Sequence, residues 1–194
     1  MAVDANTVNI KTRGYHHGDL REALVDAGMA LLEQRQAEPP GLREVARSVG
    51  VSATAVYRHF PDKDALLRAI AARGFARMGE MQLAAGQGLS GEVAFSAIGV
   101  AYVRFALDNP AVFRLMFSRP KPRDLFGLPQ DEASTPLRLL REHAAAMTPT
   151  GLPDEARRVM ALQAWALVHG LAVLMLDHMV DVDDAMIARV ISEW

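Results

Sequence analysis

Apolar residues recur at three- and four-residue steps through most of this chain, the spacing that amphipathic helices produce. Leu20, Ala23, Leu24, Ala27, Ala30 and Leu31 mark a first helix from Asp19 to about Gln36. Asp19 and Glu22 fall in its first turn, where the helix dipole favours acids, and Pro39-Pro40 follow its end. Leu42, Val45, Ala46 and Val49 share one face of a short second helix, which Gly50 stops because glycine tolerates the left-handed conformation. Ser52 fits the cap of a third helix, with Val51 and Val56 placed as a hydrophobic staple and Phe60-Pro61 at its end. Asp62 is expected to cap a fourth helix running to roughly Met78, with Leu66, Leu67, Ile70 and Phe75 apolar.

Beyond it, the segment GQGLSG at Gly86–Gly91 is the best candidate domain boundary. Further helices are expected near 91–108, 110–118, 133–147, 154–180 and 183–193, with breaks or starts at Pro110, Pro120 to Pro122, Pro129, Pro136, Pro149 and Pro153. Strand-like Val/Ile/Thr runs are nearly absent and no repeat is visible, so the expected fold is all-α with about nine helices. The expected organisation is a flexible arm over 1–14, a small helical domain over 15–62, a connecting helix over 63–80 and a larger helical domain over 81–194.

Composition narrows this picture. A 51% hydrophobic and 23% charged chain of 194 residues is long enough to bury a core and is not a disordered polymer. With no cysteine there is no disulfide framework, thiolate metal site or cysteine nucleophile, and a reducing compartment is expected. The N-terminus lacks the apolar core of a signal peptide, and the most apolar stretch, Val159 to Val180, is interrupted by Gln163, His169, Asp177 and His178. The expectation is therefore a cytoplasmic protein without a membrane span. Net charge is −2, with 11 basic against 10 acidic residues up to position 80 and 10 against 13 after it. Any electrostatic attraction to a polyanion must then come from a local patch.

Two short helices meeting at a glycine turn are the geometry of a helix-turn-helix, whose second helix enters the major groove of DNA. Leu42, Val45, Ala46, Val51, Val56 and Phe60 can form its shared core, leaving Ser52, Ala53, Thr54, Ala55, Tyr57, Arg58 and His59 largely outward. Thr54 and the methyl groups of Ala53 and Ala55 suit base edges, Tyr57 and His59 carry donors for phosphate oxygens, and Arg58 suits either. Lys63, in the first turn of the next helix, is placed as a phosphate anchor, and Arg43 is within reach of a base or a phosphate.

Residues 15–75 resemble the DNA-binding domain of the TetR family of bacterial transcriptional regulators, in YHHGDLREALVDAGMALLE followed by LREVARSVGVSATAVYRHFPDKDALLRAI. The glycine-valine turn, the Y-x-H-F ending and the F-x-x-K-x-x-L-L start of the next helix coincide. The resemblance implies a homodimeric regulator of double-stranded operator DNA, usually a repressor released by a small-molecule effector bound in the larger domain. It points Arg43 and the first turn of the third helix toward bases, and Tyr57, His59 and Lys63 toward phosphates, with an arm contact from Lys11 and Arg13. One departure stands out: many relatives open the second helix with Ser or Thr, whereas Gly41 stands here after Pro39-Pro40, so a capping hydroxyl is missing.

In the second half, AWALVHG resembles a TetR C-terminal class with a Trp-His-Gly signature, here Trp165, His169 and Gly170. Trp165 and His169 are four apart and share a helix face, and Tyr102, Phe105, Phe113, Met116 and Phe117 supply an apolar pocket or simply a core. The effector-pocket candidates are Tyr102, Arg104, Phe113, Met116, Phe117, Trp165 and His169, which favour an apolar or aromatic effector. Leu167, Leu171, Leu174, Met175, Ile187, Val190 and Ile191 are candidates for a four-helix dimer interface of the kind that the family uses.

Other function classes find less support. His169, Asp177, His178, Asp181, Asp183 and Asp184 crowd the C-terminal region, but match no metal-binding spacing such as H-E-x-x-H. No Ser-His-Asp arrangement or phosphate-cradling glycine loop stands out, so no enzyme, metal or cofactor is expected. An activator of the same fold is the alternative to a repressor, and a helical interaction protein that does not bind DNA or a metal-dependent enzyme are the remoter ones.

Overall fold

A computed structural model of the chain describes residues 17–35, 38–118 and 124–193. The expected arm, with Lys11 and Arg13, and the Pro120–Pro122 run lie outside the described residues. Among those described, nine α-helices follow one another: α1 (His17–Arg35), α2 (Leu42–Val49), α3 (Ala53–Tyr57), α4 (Lys63–Gly86), α5 (Gly91–Asp108), α6 (Pro110–Ser118), α7 (Thr135–Met147), α8 (Asp154–Leu176) and α9 (Asp184–Ser192). A 3-10 turn, Leu125–Gly127, precedes α7.

Side-chain caps set three of the helix starts. Ser52 Oγ accepts from Ala55 N at 3.2 Å, Asp62 Oδ1 from Ala65 N at 2.6 Å, and Asp183 Oδ1 from Met186 N at 2.8 Å. Gly50 closes α2 at φ +76°, a left-handed conformation in which a β-carbon would be strained. Helix lengths depart from the pattern in three places. The third helix ends at Tyr57, the fourth continues to Gly86, and the eighth stops at Leu176. The buried face of α1 is also rotated: Ala30 is exposed, while Val25, Met29 and Leu32 join Leu24 in the core. A helix touched by three neighbours buries more than one stripe, and α1 packs on α2, α4 and α6.

Helix α4 is the spine. Its first turns, through Leu66, Leu67 and Ile70, pack with α1, while its later turns meet α5, α6 and α7. The same core cluster therefore runs from Leu24, Val45, Val56 and Phe60 through Met78 to Tyr102, Phe105 and Phe113. Gly74 permits the close approach of α6, since a β-carbon there would lie 2.6 Å from Met116 Sδ and 2.8 Å from Val112 Cγ1. Polar links bind α1 to the rest. Arg73 pairs with Glu22, Arg77 Nη2 lies 2.9 Å from Asp26 Oδ1, and Glu33 Oε1 accepts from Val112 N at 2.7 Å at the start of α6.

By length and composition α8 is long and apolar enough to cross a membrane. Here it packs against α5 and α7. A second, smaller core cluster, Val103, Leu171, Ile187 and Ile191, fixes α9 on α5 and α8.

Candidate nucleic-acid interface and adjoining cavity

The α2–turn–α3 unit has an inner and an outer side. Leu42, Val45, Ala46, Val56 and Phe60 are buried and Val51 is half-buried against them. Ser52, Thr54 and Arg58 are exposed, Ala53, Ala55 and His59 are half-buried, and Tyr57 keeps 49% of its surface. Ser52 spends its hydroxyl on the α3 cap, so its reach toward another molecule is limited to what one capped oxygen can still accept or donate.

Arg43, Tyr57 and Lys63, twenty positions apart in the chain, line one open cleft with Gly41, Leu42, Pro61 and Asp62. The start of α2 forms part of this cleft, and no side chain caps it. Glu44 N and Val45 N both donate to Gly41 O, which leaves the Leu42 and Arg43 N–H groups without an intrahelical partner, and the helix dipole adds to the field of the Arg43 and Lys63 cations, against the Asp62 carboxylate. Chemically such an arrangement can accept an anion such as a phosphate oxygen. The missing hydroxyl at Gly41 is thus offset by free backbone donors, a signal that composition alone did not reveal.

The second feature is a cavity of about 580 Å³ between α4, α5, α7 and α8. Of the sequence-derived pocket candidates, Tyr102, Phe117, Trp165 and His169 line it. The other three do not. Arg104 points outward and pairs with Asp184 at 2.9 Å, Phe113 is buried behind Phe117, and Met116 is buried against α4. Sequence reasoning missed Phe75, Met78 and Gln82 on α4, Phe95 on α5, and Leu137 and Leu140 on α7. Of these the sequence pattern marked only Phe75, as an apolar position of the fourth helix, and only the gap left by the packing makes them a wall.

Three polar side chains form a chain at this wall. The Trp165 indole N–H, which can only donate, approaches the Tyr102 hydroxyl at 3.4 Å, and Tyr102 lies 2.8 Å from His169 Nδ1. A hydroxyl has one proton and two acceptor sites, so Tyr102 accepts from Trp165 and shares a second hydrogen bond with His169 Nδ1, whose direction follows the imidazole tautomer. Burial pushes the Tyr102 hydroxyl above its ordinary pKa, partly offset by the Trp165 bond, and pulls His169 below its own. Near neutral pH both groups are therefore uncharged. Phe117 packs edge-on to His169 at 4.6 Å, and Phe126 of the 3-10 turn edge-on to Trp165 at 6.2 Å. Arg141 holds that turn in place, donating to Leu128 O at 2.8 Å and Leu125 O at 2.5 Å.

The dimer candidates divide. Leu171, Ile187 and Ile191 are buried within the protomer and cannot face a second chain, because α9 folds back on α5. Leu167 is half-buried and lines the cavity, and Met175 and Val190 are half-buried against the smaller core cluster. Leu174 is exposed, together with Val159, Leu162, Met179 and Met186, which the sequence pattern did not single out. Among the described residues, no group of three or more His, Asp or Glu side chains is placed to hold a metal ion.

Comparison with known proteins agrees with this architecture. Residues 24–70 match the family profile described as bacterial regulatory proteins of the tetR family, and residues 95–192 match that of the tetracyclin repressor-like C-terminal domain. A Rhodococcus sp. RHA1 protein of unknown function is 30% identical, with 93% of this chain and 95% of that one covered at a TM-score of 0.72. A TetR family transcription regulator from Marinobacter aquaeolei VT8 shares the fold at 15% identity, covering 88% and 91% with a TM-score of 0.59. RolR, solved in complex with the ligand resorcinol, shares it at 17% identity, covering 92% and 95% with a TM-score of 0.58. No curated protein matches the chain.

Proposed function

The chain belongs to the TetR family of DNA-binding transcriptional regulators, and from that premise we propose that it is a cytoplasmic homodimeric repressor released from a pseudo-palindromic operator by a small molecule. The observation that carries the reading is the cleft that gathers Arg43, Tyr57, Lys63 and the uncapped start of α2 beside the exposed first turn of α3. In and beside it Tyr57, His59 and Lys63 serve phosphates, while on α3 Thr54 with Ala53 and Ala55 meets base edges, and Arg43 and Arg58 reinforce either contact. The domain division is part of the same proposal: a reader over 15–62, the connecting helix, and an effector and dimerisation domain beyond it.

The exposed apolar residues of α8 and α9, Val159, Leu162, Leu174 and Met186, support pairing with a second copy. A two-fold dimer presents its readers about 34 Å apart or somewhat more, one helical turn of DNA. Helix α4 supplies the coupling. Lys63 starts it at the DNA side, and Phe75, Met78 and Gln82 face the cavity, the first of them twelve residues or about 18 Å further along. A ligand that displaces these residues tilts the reader, and a dimer with mismatched readers loses adjacent grooves. RolR binds resorcinol. A small aromatic effector is likewise proposed here, because aromatic and aliphatic side chains form most of the cavity wall.

Footprinting on the DNA beside the protein's own gene tests the reading. The expected result is a protected pseudo-palindrome, with Thr54→Val weakening binding to that site more than to unrelated DNA. Equal weakening on all sequences would remove Thr54 as a base reader, and no protected site at all would leave a helical interaction protein.

A further inference from the structure

The cavity contains a hydrogen-bonding mismatch that specifies its occupant. Gln82, on the α4 wall, keeps only 4% of its surface and donates from Nε2 to Ile98 O at 3.3 Å. A carbonyl oxygen cannot donate, so the amide nitrogen must face Ile98 and the amide oxygen must face away. That oxygen, Oε1, is buried and has no hydrogen-bond partner. An unpaired buried acceptor is costly, and a side chain that only filled core would be apolar. Gln82 lines the cavity and the terminal torsion of a glutamine is soft, so rotation of the amide can turn Oε1 toward a molecule there in exchange for part of the bond to Ile98 O.

The rest of the wall restricts the chemistry further. Ile98 lies one turn, about 6 Å of helix rise, before Tyr102 on α5, so the carbonyl that holds the Gln82 amide and the centre of the Trp165–Tyr102–His169 chain belong to adjacent turns of one helix. Phe75, Phe95, Phe117 and Trp165 supply flat apolar surface between and around these groups. Among the described lining residues no Lys or Arg is present, and the one carboxylate is the exposed Glu132. An anionic ligand would be desolvated there without a counter-charge.

We propose that the effector is an uncharged aromatic molecule with a hydroxyl or N–H group, which donates to Gln82 Oε1 while its ring packs among Phe75, Phe95 and Trp165. This rests on the reading of the cavity as the effector site and adds the feature that selects among apolar ligands.

Isothermal titration calorimetry on the full-length protein with three probes of matched size tests it: 4-butylphenol, its methyl ether and 4-butylbenzoate. The phenol is expected to bind about tenfold more tightly than the ether, because only the phenol can donate, and the benzoate is expected to bind most weakly. In Gln82→Leu the phenol and ether are expected to converge to within about twofold. Equal binding of phenol and ether to the unaltered protein, or a preference that survives Gln82→Leu, overturns the assignment of Gln82 and leaves the cavity reading standing. Tightest binding of the benzoate overturns the uncharged class. If none of the three binds, the cavity reading falls and this inference with it.

Discussion

The reader and the cavity are built on opposite plans. The reader's outward side chains lie within twelve consecutive positions, Ser52 to Lys63, joined only by Arg43 from the preceding helix, and most of them are exposed. The cavity wall draws on α4 through α9 and spans Phe75 to Ile191, and Tyr102, Trp165 and His169 within it are bonded to one another. A surface that docks onto another polymer needs only local order and a rigid base. A chamber for a small molecule needs several helices placed at once, and its shape is what packing leaves unfilled.

The sharpest test of that contrast separates base from surface within the reader. Phe60→Ala removes a fully buried ring from beneath α3 and should cost about 3–5 kcal/mol of stability, read as a lower denaturant midpoint. Tyr57→Phe combined with Lys63→Ala should leave that midpoint unchanged, lower operator affinity, and reduce the slope of log affinity against log salt by about 1. An unchanged salt slope would remove these two residues from the phosphate contacts.

The link between the two regions comes next in size. Glu33 of α1 accepts from Val112 N at 2.7 Å and Ala111 N at 3.3 Å, so a reader-side helix holds the start of α6, whose Phe117 walls the cavity. Glu33→Gln keeps an acceptor but removes the charge at a helix N-terminus, and should cost roughly 1 kcal/mol by thermal or chemical unfolding. A change in the response of DNA affinity to 4-butylphenol in the same variant would show that this contact also carries coupling.

The smallest expected effect is on pH. Burial holds the His169 pKa below its ordinary 6.5, so the folded protein resists the proton that the unfolded chain accepts. The stability from this neutral imidazole is present in full above pH 6.5 and declines as pH falls from there through the folded-state value. His169→Gln should flatten that decline between neutral and mildly acidic pH, and an unchanged unfolding profile would place the titration elsewhere.

Much of the reader was legible because its signals are local. Ser52 and Asp62 announce helix starts by side-chain bonds three residues away, and Gly50 announces a left-handed stop, each independent of distant chain. Even there the end of α4 was misplaced, since Leu83 and Ala84 continue a helix that no local residue stops before Gly86. In the cavity region the composition was legible but the assignment was not. Phe113 and Phe117 sit four apart on one helix and both read as pocket or core, yet one is buried behind the other. Ile187 and Ile191 read as free for a partner chain and are closed off inside the protomer.

By itself the sequence determined the all-α class, the order of the helices, the glycine turn and the cluster of groups that faces outward around it. Helical periodicity, caps and turn chemistry act over three or four residues and are written directly in the chain. Tertiary structure alone decided that Arg43 and Lys63 share a cleft with an uncapped helix start, that the Gln82 amide oxygen is left unpaired at a cavity wall, and that α9 turns its isoleucines inward. Those outcomes depend on how several helices divide a common volume, and burial, unlike a cap, is a property of all the neighbours together.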